Sequence, residues 1–181
     1  MRVTTAQSNR YRLYSGDVTL PPQTDPDVAL VLDFLNTVDV EDGTDLLRSR
    51  KQWQDWATER DLSAGSMADA RQVRETMRAA AGDPEARPGT GRAGASVRVE
   101  WTSGAPALVA DSAVGAVLAA SARLGVLGRW ERIKICPADE CRWAFYDHSR
   151  NHSRTWCSMQ VCGNREKARA WRRRTTDARR S

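Results

Sequence analysis

The four cysteines of this sequence constrain its fold more than any other feature. They form two pairs, Cys136 with Cys141 and Cys157 with Cys162, each with four residues between its members. Fifteen residues separate the pairs. Thiolates at this spacing can reach one metal ion, and two such pairs complete a tetrahedral shell that leaves no position for a substrate. The pattern therefore predicts a structural zinc site with these four ligands.

Three alternatives to zinc use the same cysteines. Two disulfides need an oxidising compartment, but residues 1–5 lack an apolar signal segment, so we expect a cytoplasmic protein in which disulfides seldom persist. Four unrelated thiols do not explain the matched spacing. An iron–sulfur cluster fits the ligand count, although small tetrathiolate sites more often hold zinc. A membrane partner is not expected, because no apolar run is long enough to span a bilayer.

Charge divides the chain into two parts. Residues 128–181 contain 14 Lys and Arg against 6 Asp and Glu, whereas the remainder contains 14 basic and 17 acidic residues. A net positive segment beside the cysteines favours a polyanionic partner. We therefore predict an N-terminal domain over residues 1–127 and a zinc-binding domain over residues 128–181.

The N-terminal part predicts an α+β fold that is mostly helical and contains a small β-hairpin. Asp25 and Pro26 mark the start of a first helix. The other predicted elements are a strand at 11–14, a turn at 41–44, helices at 51–59 and 66–81, a mobile Gly- and Pro-rich loop at 82–94, strands at 97–101 and 107–109, and a helix capped by Asp111 that ends near Leu124. The residues expected to face the core are Val28, Val31, Leu32, Leu35, Val38, Trp53, Trp56, Val73, Met77 and Ala80.

Two polar residues interrupt the apolar first helix. Asp33 and Asn36 lie one turn apart on the same face. They are the candidate ligand-binding residues of the N-terminal part. The alternative is a pair that caps a neighbouring loop, and we favour it because buried polar groups usually satisfy backbone groups.

The C-terminal third has the element order of a treble-clef zinc finger. Residues 129–135 alternate between polar and apolar and lead into Cys136, and residues 143–146 read as a returning strand. The first cysteine pair would then lie in the knuckle of a hairpin. The second pair leads into a predicted helix at 163–174.

Basic residues lie on both sides of the second cysteine pair. The candidates for nucleic-acid contact are Arg150, His152, Arg154, Arg165, Arg169, Arg172 and Arg173. The last four recur at helical spacing and share one face, with Ala168 and Trp171 expected to pack inward. A merely solvated charged face is the alternative, but the one-sided arginines favour contact with a polyanion.

No catalytic residue is predicted. Asp147 and His148 could act as a nuclease-like pair that activates water. A catalytic zinc keeps an open coordination position, however, and four cysteines leave none. We therefore prefer a phosphate-contacting or capping role for His148 and His152.

Two stretches carry a family resemblance. Trp156-Cys157-Ser158-Met159 and Cys162-Gly163-Asn164-Arg165 resemble the CGNR zinc finger family, and the similarity extends over about residues 130–174. Residues 32–37, Leu-Asp-Phe-Leu-Asn-Thr, are similar to the opening motif of the ABATE domain, which usually precedes this finger. The resemblance implies zinc ligation by the four cysteines, DNA contact by the finger, and a place among bacterial stress-linked transcriptional regulators.

The sequence as a whole predicts a transcriptional regulator that binds duplex DNA through a finger folded around structural Zn²⁺. It is not expected to be an enzyme. The rival interpretations are an RNA-binding finger, a protein-interaction module whose arginines meet an acidic partner, and a zinc hydrolase. A small-molecule effector and a homodimer are left open.

Overall fold

The structure, a computed structural model, describes residues 25–92 and 94–178. The chain divides into a larger compact unit, Asp25–Cys157, and a second unit to which residues 158–178 belong. The strand predicted at residues 11–14 lies outside the described residues. None of the helices in the described ranges is long and apolar enough to cross a membrane.

Helices and short antiparallel hairpins make up the described chain, which confirms the predicted α+β class. The helices are α1 (Pro26–Leu35), α2 (Arg50–Thr58), α3 (Met67–Ala80), α4 (Ala113–Val126) and α5 (Asn164–Ala178). The strands pair as β1 (Val38–Asp39) with β2 (Thr44–Asp45), β3 (Arg98–Thr102) with β4 (Ala105–Val109), and β5 (Ile133–Ile135) with β6 (Ala144–Tyr146). Three short turns of helix complete the list, Leu46–Arg48, Trp130–Arg132 and Met159–Gly163.

Helix starts follow from their capping residues. The Asp25 carboxylate accepts a hydrogen bond from the Asp27 amide, and Pro26 opens α1, as predicted. Ser66 caps α3 in the same way through the Asp69 amide. For α4 the predicted cap was wrong by one residue, because Ser112 accepts from the Gly115 amide and Asp111 instead pairs with Arg98.

The helical part of the larger unit surrounds an apolar core. Val31, Phe34, Leu35 and Trp53 are fully buried, and full burial of a large apolar side chain contributes about 1.5–3 kcal/mol. Trp53 and Trp56 stack with ring centroids 5.2 Å apart, so both are packing groups. The predicted core residues Val28, Val31, Leu35, Trp53, Trp56, Val73 and Met77 are buried, whereas Leu32 and Val38 are half-buried and Ala80, in the last turn of α3, is exposed.

The hairpin of β5 and β6 packs on this same core. Ile133, Ile135, Ala144 and Tyr146 are buried members of the cluster that the helices form. The Ile135 amide also donates to the Ala81 carbonyl, just beyond α3, at 3.1 Å. Residues on both sides of position 128 therefore contribute to one core. The domain boundary proposed at this position stays a prediction.

The hairpin of β3 and β4 is largely exposed to solvent. Val99 and Trp101 alternate on one face of β3, and Trp101 keeps 75% of its surface exposed. The segment before β3 passes close to the start of α4, where a side chain on Gly115 would lie 2.9 Å from the Ser96 carbonyl. Glycine at this position allows that close approach.

Candidate metal centre

The first cysteine pair lies in the tight connection between β5 and β6, as predicted. The Cys136 amide donates to the Trp143 carbonyl at 2.9 Å, which closes the hairpin. The amides of Cys141 and Arg142 both donate to the Ala138 carbonyl, at 2.9 and 3.1 Å. Arg142 has a positive φ of 50°, which turns the chain out of the knuckle after the second ligand. Cys136 and Cys141 are both buried.

The second pair lies at an unusual helical turn, with Cys157 shortly before it and Cys162 inside it. Residues Met159–Gly163 form a π-helical turn, in which the Gly163 amide donates to the Ser158 carbonyl at 3.1 Å. π-Helical turns are rare in proteins, and those that occur often lie at functional sites. The Ser158 hydroxyl accepts from the Val161 amide and caps the turn. Cys162 is buried in this turn, immediately before α5 begins at Asn164.

The four thiols converge on one point. Their sulfur atoms all lie within 4.8 Å of one another, and the sulfurs of Cys141 and Cys157 are 3.5 Å apart. Four sulfurs at about 2.3 Å from a central zinc lie about 3.8 Å from one another, so the cluster has the dimensions of a tetrahedral site. Three of the thiols are buried and Cys157 is half-buried. The four cysteines therefore fit zinc, and the closed shell gives the metal a structural role.

The thiols also change one another's pKa values. Hydrogen bonds from the Cys141 and Cys157 thiols lower the pKa of the Cys136 thiol and favour its thiolate, and the same hydrogen bonds to Cys136 raise the pKa of the Cys141 and Cys157 thiols. A thiolate is the form that binds a metal ion. The neighbouring thiols thus favour one thiolate, at Cys136, and a bound metal ion would favour the thiolate form of the others.

Comparison with family models assigns the chain. The ABATE model, described as "Putative stress-induced transcription regulator", matches residues 28–135, which is more than half of the chain. The chain belongs to the ABATE family. The CGNR zinc finger model follows at residues 132–175 and includes all four cysteines. No curated protein matches the chain. The two matches confirm the family resemblance, and together with the thiol cluster they confirm structural zinc in a member of a regulatory family.

A buried carboxylate organises the loop between the two cysteine pairs. Asp147 follows β6, is fully buried, and accepts from the Lys134 ammonium at 2.7 Å and from the amides of Ser149 and Arg154 at 2.8 and 3.0 Å. Burial would raise the pKa of the Asp147 carboxyl, but these hydrogen bonds outweigh it and hold the pKa well below its usual range. Lys134 also donates to the carbonyls of His152 and Arg154. The segment 147–154, which we term the basic loop, is therefore folded around one ion pair.

The buried position of Asp147 bears on the nuclease interpretation. Its carboxylate oxygens are used by the loop itself, so it is a structural group. His148 packs its ring edge-on against Tyr146, with centroids 4.8 Å apart. Desolvation and the positive charges of Arg154 and Arg132 lower the pKa of His148, which keeps the imidazole neutral at neutral pH.

The predicted nucleic-acid residues of the basic loop have different environments. Arg150 and His152 are exposed. Arg154 is half-buried, and its guanidinium lies 5.1 Å from the centre of the Phe145 ring and donates to the carbonyls of Trp156 and Cys157. Arg154 thus positions the segment that carries a metal ligand, Cys157, a role that its residue type did not reveal.

The predicted orientation of α5 was wrong. Ala168 and Trp171, expected to pack inward, are exposed, and Trp171 keeps 63% of its surface in solvent. Arg165 and Arg169 lie instead on the half-buried side, where the Arg169 guanidinium donates to Glu166 at 2.7 Å. Of the four arginines predicted on this helix, Arg172 and Arg173 are exposed. The spacing did not show which parts of the helix are covered, because the first two arginines are half-buried and the last two are exposed.

The two polar residues of α1 have partners within the chain. The Asn36 amide group donates to the Ala144 carbonyl at 3.0 Å and accepts from the Ala144 amide at 2.8 Å, so it binds α1 to β6. Asp33 accepts from Arg60 at 3.0 Å. Asn36 thus satisfies backbone groups, as the alternative expects, although these belong to a strand and not to a loop. Ligand binding by Asp33 and Asn36 stays a prediction.

Sequence reasoning missed a buried ion cluster beside the knuckle. Asp83, in the predicted mobile loop, has a fully buried side chain and accepts from Arg78 at 2.7 Å and from Arg142 at 2.9 Å. Arg78, itself buried, also donates to the carbonyls of Leu35 and Arg142. The signal was present in α3, where Arg78 follows Met77 on the inward side and needs a buried acidic partner.

Proposed function

We propose that the protein is a transcriptional regulator whose zinc finger binds duplex DNA. The observation that carries this proposal is the charge exposed by the basic loop. Its carboxylate, Asp147, is buried and paired, whereas Arg150 is exposed at its tip. The loop therefore presents positive charge with no acidic side chain of its own at the surface. Side chains of this type bind phosphate oxygens and fix a protein on the duplex.

The zinc has a structural part in this function. Cys136, Cys141, Cys157 and Cys162 hold it, and bound zinc fixes the fold of the finger. Along the chain, the basic loop follows the first cysteine pair and α5 follows the second. We assign no catalytic residue, because four thiolates leave no open position on the metal and Asp147 is used by the loop. We also propose that Asp33 and Asn36 bind a ligand that the protein senses. Such a ligand has to compete with Arg60 for Asp33 and with the Ala144 backbone for Asn36.

Salt dependence of binding tests the proposal. Full-length zinc-loaded protein is titrated against a fluorescent DNA duplex at several salt concentrations. We expect affinity to fall steeply as salt rises, because binding releases counterions from phosphates. Arg150→Gln should lower the slope of log affinity against log salt by about one and weaken binding to all duplexes alike. The matched control is Arg48→Gln, an exposed arginine of the helical part, which should leave the slope unchanged.

The same titration separates the rivals. Tighter binding to structured RNA than to duplex DNA at equal salt would favour the RNA-binding alternative. No salt-dependent binding to either nucleic acid would leave the protein-interaction module. An equal loss in Arg48→Gln and Arg150→Gln would mean generic attraction of a basic protein to a polyanion, and the assignment to the finger would then be wrong.

A further inference from the structure

Helix α5 exposes a compact patch of four side chains. Lys167, Ala168, Trp171 and Arg172 are all exposed. Lys167 and Trp171 are four residues apart, as are Ala168 and Arg172, so the four lie side by side over two turns of one face. Around the helix the order is Lys167, Trp171, Ala168, Arg172, which gives an apolar centre with a cation on each side. We term these four residues the α5 patch.

The side of α5 that lies away from Trp171 has a different character. Arg165, Glu166, Arg169 and Ala170 are half-buried. There the positive charge is compensated in part, because Arg169 pairs with Glu166 at 2.7 Å. Up to Arg172 the helix is thus two-sided, with its half-buried side internally paired in part and the α5 patch facing solvent, whereas Arg173, farther along the half-buried side, is exposed.

We propose that the α5 patch enters the major groove of duplex DNA and reads base edges there. This inference rests on the proposed function and adds the reading surface to it. Arg172 can donate two hydrogen bonds to the O6 and N7 of one guanine, and Lys167 can donate to the same acceptors of another base pair. Trp171 supplies apolar contact with a thymine methyl group, and the small Ala168 lets the helix axis approach the bases.

Dimensions favour DNA as the occupant over RNA. An α-helix with its side chains is about 10–12 Å across, and the major groove of B-DNA is about 12 Å wide. The 15 residues of α5 extend for about 22 Å, enough to lie along the groove. The major groove of A-form RNA is deep and narrow, so side chains on a helix cannot read it.

The positive charge of α5 favours a polyanion as its partner. The types of its side chains then favour a nucleic acid over an acidic protein surface. Between residues 164 and 178 the basic residues are Arg165, Lys167, Arg169, Arg172, Arg173 and Arg174, against the acidic Glu166 and Asp177. Cationic side chains alone would be enough for a helix that contacts only phosphate groups. An exposed indole at the centre of the cationic patch is instead suited to the flat, partly apolar floor of the groove.

Selection of duplexes tests the inference. Full-length zinc-loaded protein is used to enrich duplexes from a random library, and affinities are then measured for the enriched duplex and for a scrambled one. The ratio of the two affinities reports base reading. Arg172→Lys keeps the charge but loses the bidentate fork, and we expect the ratio to fall roughly 5- to 150-fold with little change in salt slope. Trp171→Ala should lower the ratio, and Trp171→Phe should restore most of it.

The control is the same substitution at Arg169, a half-buried arginine that lies one turn before Arg172 and pairs with Glu166. Arg169→Lys lies on the half-buried side and should leave the affinity ratio unchanged. Zinc content and far-ultraviolet circular dichroism confirm that each variant is folded. A fall in the ratio for Arg169→Lys but not for Arg172→Lys would overturn the inference, because the reading face would then be the other one.

The outcomes for the wild-type protein separate this inference from the proposed function. Salt-dependent duplex binding without enrichment of any sequence would overturn the reading of bases and leave DNA binding intact. Absence of salt-dependent duplex binding would overturn both. Preferential binding to structured RNA would also contradict the α5 patch, because its fit depends on the B-form groove.

Discussion

The helical part of the larger unit and its cysteine-bearing end are held together by different forces. Residues 25–127 bury a continuous apolar cluster that includes Phe34, Trp53 and Leu124. Residues 133–157 contribute a six-residue hairpin, a cysteine knuckle and the basic loop, and the loop is folded around the buried pair of Asp147 and Lys134. The first region is stabilised mainly by removal of apolar surface from water. In the second region the hairpin shares that apolar cluster, while the knuckle and the basic loop depend on metal ligation and buried polar contacts.

The contacts between these two regions are both apolar and polar, because Ile133, Ile135 and Tyr146 of the hairpin pack in the same apolar cluster as the helices. Asn36 of α1 binds the backbone of β6 through Ala144, and Asp83 after α3 binds Arg142 of the knuckle. The cysteine-bearing end therefore depends on the helical part for apolar and polar partners, while the apolar cluster itself contains none of the four metal ligands. This difference predicts an asymmetric response: damage at the zinc site should stay local, whereas damage at Asp83 should reach both regions.

Loss of a zinc ligand is expected to have the largest effect. In small zinc-finger peptides, metal binding contributes about 10–16 kcal/mol to folding near neutral pH. Cys141→Ser should abolish stoichiometric zinc in the purified protein, measured by elemental mass spectrometry. Amide hydrogen exchange should accelerate in the knuckle and in the basic loop, while the amides of α1 and α4 keep their protection.

The control for this prediction is Asp139→Asn, an exposed acidic residue of the same knuckle that ligates nothing. It should retain zinc and normal exchange. If Cys141→Ser reduced amide protection in α1 and α4 as much as in the knuckle, the two regions would unfold as one cooperative unit. The proposed difference between the two regions would then be wrong.

Removal of the buried carboxylate at Asp83 comes next in size. Asp83→Asn leaves Arg78 and Arg142 without their shared anion, and an uncompensated buried charge costs about 3–5 kcal/mol. Because Arg78 also holds the Leu35 carbonyl, we expect the loss in both regions. Urea unfolding followed by tryptophan fluorescence gives the free energy of unfolding.

Glu85→Gln is the matched comparison, since Glu85 lies two residues away but pairs with Arg87 at the surface. Exposed pairs contribute about 0–1 kcal/mol, so this variant should be nearly as stable as the wild type. Equal losses in the two variants would show that Asp83 has no special coupling role.

Local patterns were enough to predict much of this architecture. The caps at Asp25 and Ser66, the apolar spacing in α1 and α3 and the paired cysteines all depend on residues within a few positions of one another. The same holds for the knuckle between β5 and β6, whose strands are joined by a short connection. These elements could be found because their determinants are close in sequence.

The features that escaped prediction depend on distant partners. Asp83 and Arg142 are 59 residues apart, and the Gly- and Pro-rich sequence around Asp83 indicates only the absence of a helix. The exposed side of α5 is likewise set by what covers the helix and not by its period. Arg154 has the composition of a phosphate contact but binds the backbone at Trp156 and Cys157. Residue type predicts which groups can bind a polyanion, and tertiary structure decides which of them are accessible.

Acid provides the finest test of the difference between the two regions. Burial raises the pKa of the Asp83 carboxyl, but hydrogen bonds and charge from Arg142 and Arg78 outweigh it, and the net pKa lies below its unfolded value. A carboxyl with a depressed pKa in the folded state stabilises the protein above its unfolded pKa, near 3.9, and this stabilisation is lost as pH falls through the folded value. Each unit of depression corresponds to about 1.4 kcal/mol. The free energy of unfolding should therefore fall below about pH 5 less steeply in Asp83→Asn than in the wild type. Protonation of the zinc thiolates affects both proteins equally and cancels in this difference. Parallel curves for the two proteins would mean that Asp83 has the same pKa folded and unfolded, and the two regions would then be joined by packing and not by this charge.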